Sequence, residues 1–133
     1  MSILSSAFNP SGNSVNAILT GVICDAAVEL GDCVRFDSGV AVQALADTFE
    51  NANVVGIVES KEDTTICTVR VNGVSSSVYA GLDEAQQYYL SDILPGKLTT
   101  VAPTLTNHVV LRMGQPFDST RLIVLKGERI VRA

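Results

Sequence analysis

The sequence predicts an all-β fold, and three observations carry this prediction. Between Asn53 and Leu125, short segments rich in Val, Ile, Thr and Tyr recur, each closed by Gly, Pro, Asn or Asp, a composition typical of strands separated by turns. The segment TICTVRV alternates, which places Cys67, Val69 and Val71 on one apolar face. About ten such segments cannot share one flat sheet, so we expect a compact β-barrel or β-sandwich of about ten short, mostly antiparallel strands.

The first segment differs from the rest of the chain. Residues 1–14, MSILSSAFNPSGNS, are small and polar apart from a few apolar side chains. We therefore expect an extended N-terminal arm over 1–14 and a single β-domain over 15–133. Apolar side chains in a polar arm require burial against another surface, which makes Ile3, Leu4 and Phe8 the candidate protein-interaction residues.

Residues 15–60 predict four strands: VNAILTGVIC, DCVRFD, VAVQAL and NVVGIVES. The triplet Asp37–Gly39 between the second and third is a hairpin signal. The segment VVGIVE has no alternation, which predicts a central strand covered on both faces. Gly56 within it indicates a close backbone approach or a bulge.

The strands continue over residues 61–133. RLIVLKG has the pattern of a second fully covered strand. A helical turn is predicted only over Asp83–Tyr89, a segment too short to form a stable helix by itself. Pro95-Gly96 predicts a turn whose second residue takes a positive φ. The LTT segment then returns beside YYLS, with Tyr88 or Tyr89 as its cross-strand partner.

Charge and hydropathy exclude several partners. The chain has 133 residues with a net charge of -5 and no clustered basic face, so we expect no nucleic-acid binding. No apolar run approaches the roughly 18 to 20 residues that span a bilayer, so we expect no membrane partner. The start lacks the basic region and long apolar core of a secretion signal, which predicts synthesis in a cytoplasm.

The charges are unevenly distributed. Residues 1–60 carry seven acids and one base, whereas residues 112–133 carry five bases and two acids. Opposed ends of this kind favour head-to-tail contacts between copies or docking on a charged lattice, and ordinary surface scatter is the alternative. Charged residues are only 17% of the chain, against about 25% in typical domains. That shortage indicates an exterior partly covered by partners.

Reactive groups are few, and each has an ordinary structural explanation. The three cysteines lack metal-ligand spacing and predict reduced thiols, and a Cys/His nucleophile pair would require the single histidine, His108. We therefore predict that the protein is not an enzyme and uses no cofactor and no metal.

Three further groups of residues leave alternatives open. A hard cation or a solvated acidic rim would use Asp25, Glu29 and Asp32. Acid/base chemistry in a cleft or an exposed hairpin tip would use Glu59, Glu62 and Asp63. A sugar-stacking surface would use the aromatic residues Tyr79, Tyr88, Tyr89 and Phe117, although aromatics are only 5% of the chain and Trp is absent.

Five segments follow one another between about residue 30 and about residue 126: GDCVRFDSG, ANVVGIVES, TVRVNGVSS, GLDEAQQYYLSDILPGKLTTVAPT and HVVLRMGQPFDSTRLIVL. This succession resembles a recurring β-domain of tailed-phage virion proteins, found in capsid decoration (cement) proteins and in head or tail fibre subunits. Its most specific part is YYLSD-x-x-PGKLTT-x-x-P, whereas Gln115-Pro116-Phe117 stands where the family pattern has small residues. The resemblance implies a structural role and no active site to carry over.

The resemblance leads to one functional expectation and one alternative. We expect a capsid decoration protein that binds the outer surface of a phage capsid as an oligomer, assembles in the host cytoplasm and stabilises the shell. Its partners would be the major capsid protein and further copies of itself, with a homotrimer fitting the three-fold and quasi-three-fold junctions of an icosahedral shell. The alternative is a head fibre or tail fibre/adaptor subunit involved in host attachment. A small hydrolase or lyase on a β-scaffold is a third class, for which one histidine and scattered acids supply little.

Overall fold

The computed structural model describes residues 17–133, which form twelve short strands in three antiparallel sheets and no helix. This confirms the predicted all-β class; two five-stranded sheets make a sandwich-like body, and the described residues do not close a barrel. The predicted arm and its residues Ile3, Leu4 and Phe8 lie outside the described residues. The strands are β1 (Ile18–Ile23), β2 (Cys33–Asp37), β3 (Val40–Gln43), β4 (Gly56–Asp63), β5 (Ile66–Arg70), β6 (Gly73–Val74), β7 (Tyr88–Leu90), β8 (Leu98–Thr99), β9 (Val109–Val110), β10 (Arg112–Pro116), β11 (Leu122–Val124) and β12 (Ile130–Val131).

The first sheet has the order β1-β5-β4-β2-β3. β2 and β3 form the hairpin that Asp37–Gly39 predicts, and the turn residues Ser38 and Gly39 both have positive φ, 52° and 82°. Two positive φ values at the centre of a two-residue loop define a type I′ turn, whose twist matches that of the strands. The two ends of the sheet approach each other at one bridge, between Cys24 and Ala41.

The central strand β4 is covered on both faces, as the missing alternation predicts. Ile57 and Val58 are both fully buried, and successive side chains of a strand point to opposite faces. Ile57 belongs to the core between the two large sheets, whereas Val58 belongs to a second core on the other face of the first sheet. Gly56 makes the predicted close approach, because an added Cβ would lie 2.0 Å from the Arg70 carbonyl oxygen.

The second core explains the alternation of β5. Cys67 and Val69 are fully buried in it, together with Val34 and Val28. The residues between them on β5 are only partly buried. The face predicted to be apolar therefore packs inward at Cys67 and Val69, whereas the third predicted residue, Val71, follows the end of β5 and is only partly buried.

The second large sheet has the order β6-β11-β10-β7-β8. The turn after Pro95 behaves as predicted, with Gly96 at a φ of 77° and Tyr89 opposite Thr99 in the β7–β8 pair. The expectation that RLIVLKG is covered on both faces is wrong. Leu122 and Val124 are buried, but Ile123 lies on the other face and is partly exposed.

The segment over Asp83–Tyr89 does not form a helix. Asp83 closes a turn instead, because its carbonyl oxygen accepts a hydrogen bond from Gln86 N (3.0 Å) and its side chain accepts one from Ala85 N (3.0 Å). The following residue pair, Tyr88 and Tyr89, already belongs to β7. A side chain that bonds its own local backbone competes with helix formation in this way.

Candidate interaction surfaces

The first strand presents apolar side chains on both faces and a free edge. Ile18, Leu19 and Ile23 are 43%, 38% and 55% exposed. β1 pairs with β5 on one side only, and among residues 17–133 no strand pairs along its other edge beyond the single bridge at Cys24. An exposed edge with apolar side chains is a ready template for another chain. We call this the β1 edge, defined by Ile18–Ile23.

The β1 edge is also bent. The register of the β1–β5 pair shifts between Leu19 and Val22, and Gly21 within the shift has a φ of 63°. A bulge of this kind twists an edge and re-aims the side chains around it. Nothing lies within 4 Å of the position of an added Cβ at Gly21, so the bulge is open to its surroundings.

A second apolar surface lies on the loops around β8. Ile93, Val101 and Leu105 are 79%, 71% and 59% exposed and line one shallow pocket of about 270 Å³. Hydrogen bonds from the rest of the domain hold these loops in place. Arg132 Nε donates to the Pro103 carbonyl oxygen (2.8 Å), and the Ser91 hydroxyl accepts hydrogen bonds from the backbone of the 93–94 turn. Large apolar side chains that share one fixed, exposed pocket are typical of an interaction site. We call this set the 93–105 surface.

The only histidine lies under this surface in an ion-pair geometry. His108 Nδ1 is 2.8 Å from Asp92 Oδ2, and both side chains are largely buried. All three cysteines are buried and free, and none shares a contact with this histidine among the hydrogen bonds and ion pairs of residues 17–133. Burial raises the pKa of the Cys67 thiol to about 12, which suppresses the nucleophilic thiolate.

The acids near residue 30 divide into two sets: Asp25 and Glu29 are exposed, as a solvated rim requires, whereas Asp32 does not belong to a rim. Asp32 is fully buried and accepts hydrogen bonds from Lys97 Nζ (2.8 Å), Gln43 Nε2 (2.9 Å) and Glu29 N (2.9 Å). The bond to Asp32 raises the pKa of Lys97 above its usual value. Asp32 therefore joins the start of β2 to the β7–β8 turn of the other sheet.

Gly96 completes this junction between the sheets. An added Cβ at Gly96 would lie 2.9 Å from Asp32 Cγ. Its backbone also donates to the Ala44 carbonyl oxygen (2.7 Å) and accepts from Cys33 N (2.8 Å). The glycine is thus required by both its positive φ and the close approach of a buried carboxylate.

The second acid group is divided by the structure. Glu62 and Asp63 lie at the exposed end of the β4–β5 hairpin, as expected for a tip. Glu59 does not belong to the tip, because its largely buried carboxylate pairs with Arg70 and accepts a hydrogen bond from Ser76 N (2.8 Å). The ion pair joins β4 to β5, and the hydrogen bond from Ser76 joins β4 to the loop after β6.

The aromatic residues do not form a single stacking surface. Tyr79 donates to the Gly31 carbonyl oxygen (2.8 Å), and Tyr88 is buried with its hydroxyl accepting from Asp83 N (2.9 Å). Phe117 is exposed, but its ring is covered by the guanidinium of Arg121, 4.5 Å from the ring centroid. These rings are therefore used in packing and local contacts.

Comparison with known proteins finds no match to this chain among family models, curated proteins or solved structures. Within residues 17–133 there is no helix of the length and apolarity needed to cross a membrane. The same residues contain no group of three His, Cys, Asp or Glu side chains placed to hold a metal ion.

Proposed function

We propose that this protein is a structural protein of a tailed-phage virion, which binds the outer surface of the capsid as an oligomer and stabilises the shell. Its partners are the major capsid protein and further copies of the same chain, in a homotrimer that suits the three-fold and quasi-three-fold junctions of the shell. The observation that carries the proposal is the β1 edge, whose exposed apolar side chains and free backbone edge suit a contact with another protein.

The physical mechanism is repeated burial of apolar surface. Removing apolar area from water stabilises a contact by about 25 cal/mol per Å², so each of Ile18, Leu19 and Ile23 contributes modestly when a partner covers it. A symmetric oligomer multiplies such contacts, because once one subunit is bound the others bind at a high effective concentration. An oligomer held by several weak contacts therefore dissociates slowly from the capsid surface.

Two separate apolar surfaces on one well-packed body support this arrangement. The β1 edge lies on the first large sheet, and the 93–105 surface lies on the loops beside the second. A lattice-bound oligomer uses two kinds of contact, one between copies and one with the shell. The sequence resemblance to virion β-domains supports the same assembly.

Binding to purified capsids tests the proposal. Heads of the encoding phage that lack the protein are mixed with the wild-type chain or with the double variant Ile18→Lys and Ile23→Lys, and the bound fraction is measured after sedimentation. We expect the double variant to lose about tenfold or more in affinity, because two lysines place charge in an apolar contact. Leu30→Lys is the matched control, since Leu30 is similarly exposed (52%) but belongs to neither surface.

Two further measurements test the proposal, and a third, binding to host cells or glycans, separates it from the fibre alternative. Light scattering of the purified protein is expected to give the mass of a trimer, and deletion of residues 1–14 is expected to lower capsid occupancy. Equal binding by the wild type and the double variant would contradict the role of the β1 edge. Binding to host cells or glycans, with none to capsids, would instead favour a fibre or adaptor subunit.

A further inference from the structure

A pocket of about 410 Å³ opens between the loop after β3 and the segment that follows β11. Its lining combines apolar side chains with two cations and one acid: Phe49, Val54, Leu111, Lys126, Glu128 and Arg129. The pocket shares no lining residue with the β1 edge or the 93–105 surface. Among residues 17–133, the two cations of this pocket take part in no ion pair, unlike Arg70, Lys97 and Arg121.

Lys126 is held by backbone oxygens and not by an acid. Its Nζ donates to the carbonyl oxygens of Val54 (3.0 Å) and Val55 (2.7 Å). An ammonium group has three donors, so one N–H remains for a further acceptor. Burial lowers the pKa of Lys126, as expected for a cation that is desolvated without a compensating negative charge.

Arg129, in the same segment after β11, also lines the pocket and is held by a backbone oxygen. Its guanidinium lies 3.7 Å from the centroid of the Phe49 ring and donates to the Phe49 carbonyl oxygen (2.8 Å). A guanidinium has five N–H donors in a rigid fork, which leaves several for a ligand. Within residues 17–133, no ion pair joins Lys126 or Arg129 to a carboxylate, although Glu128 lines the same pocket.

A second arginine–phenylalanine stack in the chain can be compared with the stack of Arg129 on Phe49. Arg121 also stacks on a phenylalanine, Phe117, but its guanidinium forms an ion pair with Asp118 at 2.6 Å. The same Arg–Phe stack therefore occurs once with its carboxylate and once, at Arg129, without one. Since a stacked arginine can also form an ion pair, stacking on Phe49 does not explain why Arg129 pairs with no carboxylate.

We infer that this pocket binds a carboxylate side chain, aspartate or glutamate, presented by a partner protein next to an apolar residue. Lys126 and Arg129 supply the positive charge and free donors, while Val54 and Leu111 supply an apolar wall. A single carboxylate fits better than a polyanion, because Glu128 in the lining repels additional negative charge. The net charge of -5 opposes a polyanion further.

Titration of the full-length protein with capped tripeptides tests this inference. The ¹⁵N-labelled protein is titrated with acetyl-Ala-Glu-Leu-amide, with the matched Gln peptide and with inorganic phosphate, and backbone amide shifts are followed by NMR. We expect saturable shifts confined to the Phe49–Val54 and Lys126–Arg129 segments with the Glu peptide only. The Arg129→Gln variant is expected to weaken binding about tenfold, as for loss of a hydrogen bond to a charged group.

Arg121→Gln is the matched control variant, since it removes the stacked arginine that already has an acid partner. It is expected to leave the affinity for the Glu peptide unchanged. Equal shifts from the Glu and Gln peptides, a stronger response to phosphate than to the Glu peptide, or an equal loss in both arginine variants would overturn the inference. The shift mapping on the wild-type protein tests the inference independently of the variants, so it remains informative where a variant is destabilised. Shifts outside the pocket segments in the wild-type protein would also overturn the inference.

Discussion

Replacing Gly56 with alanine places a methyl group inside the contact between β4 and β5. The added Cβ would lie 2.0 Å from the Arg70 carbonyl oxygen and 2.8 Å from its carbonyl carbon. A close carbon–oxygen contact between strands is about 3.3 to 3.6 Å, so the strands must separate by about 1 Å or more beside the fully buried Ile57 and Val58. Overpacking typically costs about 1 to 3 kcal/mol. Because the blocking atoms are backbone atoms that cannot rotate away, we expect a loss of about 3 to 4 kcal/mol in the free energy of unfolding.

The assay is urea unfolding followed by circular dichroism, with Gly39→Ala as the matched control. Gly39 has a φ of 82° and nothing within 4 Å of an added Cβ, so alanine there meets backbone strain and no clash. That strain costs about 1 to 2 kcal/mol. Gly56→Ala should therefore be less stable than Gly39→Ala by about 2 kcal/mol. Equal unfolding free energies for the two variants would refute the close approach of β4 to β5.

Three further predictions concern charge and thiol chemistry. Asp32→Asn should lower the free energy of unfolding by about 1 to 3 kcal/mol, because the fully buried carboxylate loses charge-assisted hydrogen bonds while the partly exposed Lys97 keeps Glu29 as a partner; an unchanged urea midpoint would contradict this. The hydrogen-bonded guanidinium of Arg121 lowers the pKa of Asp118 from 3.8 to about 2. The stabilisation of the fold by the Asp118–Arg121 ion pair is therefore complete above pH 3.8 and is lost as the pH falls towards 2. The difference in melting temperature between wild type and Asp118→Asn should shrink over that range, and a constant difference would refute it. Cys67 should resist alkylation at pH 8 until urea unfolds the chain, as mass spectrometry would show, since burial raises its pKa to about 12; rapid native labelling would contradict its burial.

Local features of the fold could be predicted from the sequence because their causes are local. The Asp37–Gly39 hairpin depends on residues that accept positive φ, and the buried face of β5 follows from strand alternation. Gly56 stands within an apolar run, which indicates that a side chain is excluded there. Each of these signals lies within a few residues of the feature that it predicts.

Other features depend on contacts that are distant in the chain. The burial of Asp32 requires Lys97, which is 65 residues away and arrives through a turn of the other sheet. The exposure of Ile123 follows from which face of the second sheet meets the core, and an apolar run alone does not indicate that. Neither position could therefore be predicted from the local pattern of residues.

The candidate surfaces were the least predictable part. The sequence predicts a strand over VNAILTGVIC, but its apolar residues look like core residues until the sheet order places β1 at an edge. Adjacent apolar residues at Ile18 and Leu19, followed by a glycine, were the available signal for an edge exposed on both faces. The interaction residues predicted in the arm, Ile3, Leu4 and Phe8, lie outside the described residues and stay predictions.

Cryo-electron microscopy of capsids with and without the protein tests the central claim most directly. If the protein works through repeated surface contacts on a shell, heads incubated with the wild-type chain should show added density at the three-fold and quasi-three-fold positions. The β1 edge should lie in a contact, and the decorated heads should withstand higher temperatures than bare ones. Bare capsid surfaces after saturation with the folded protein would contradict the account.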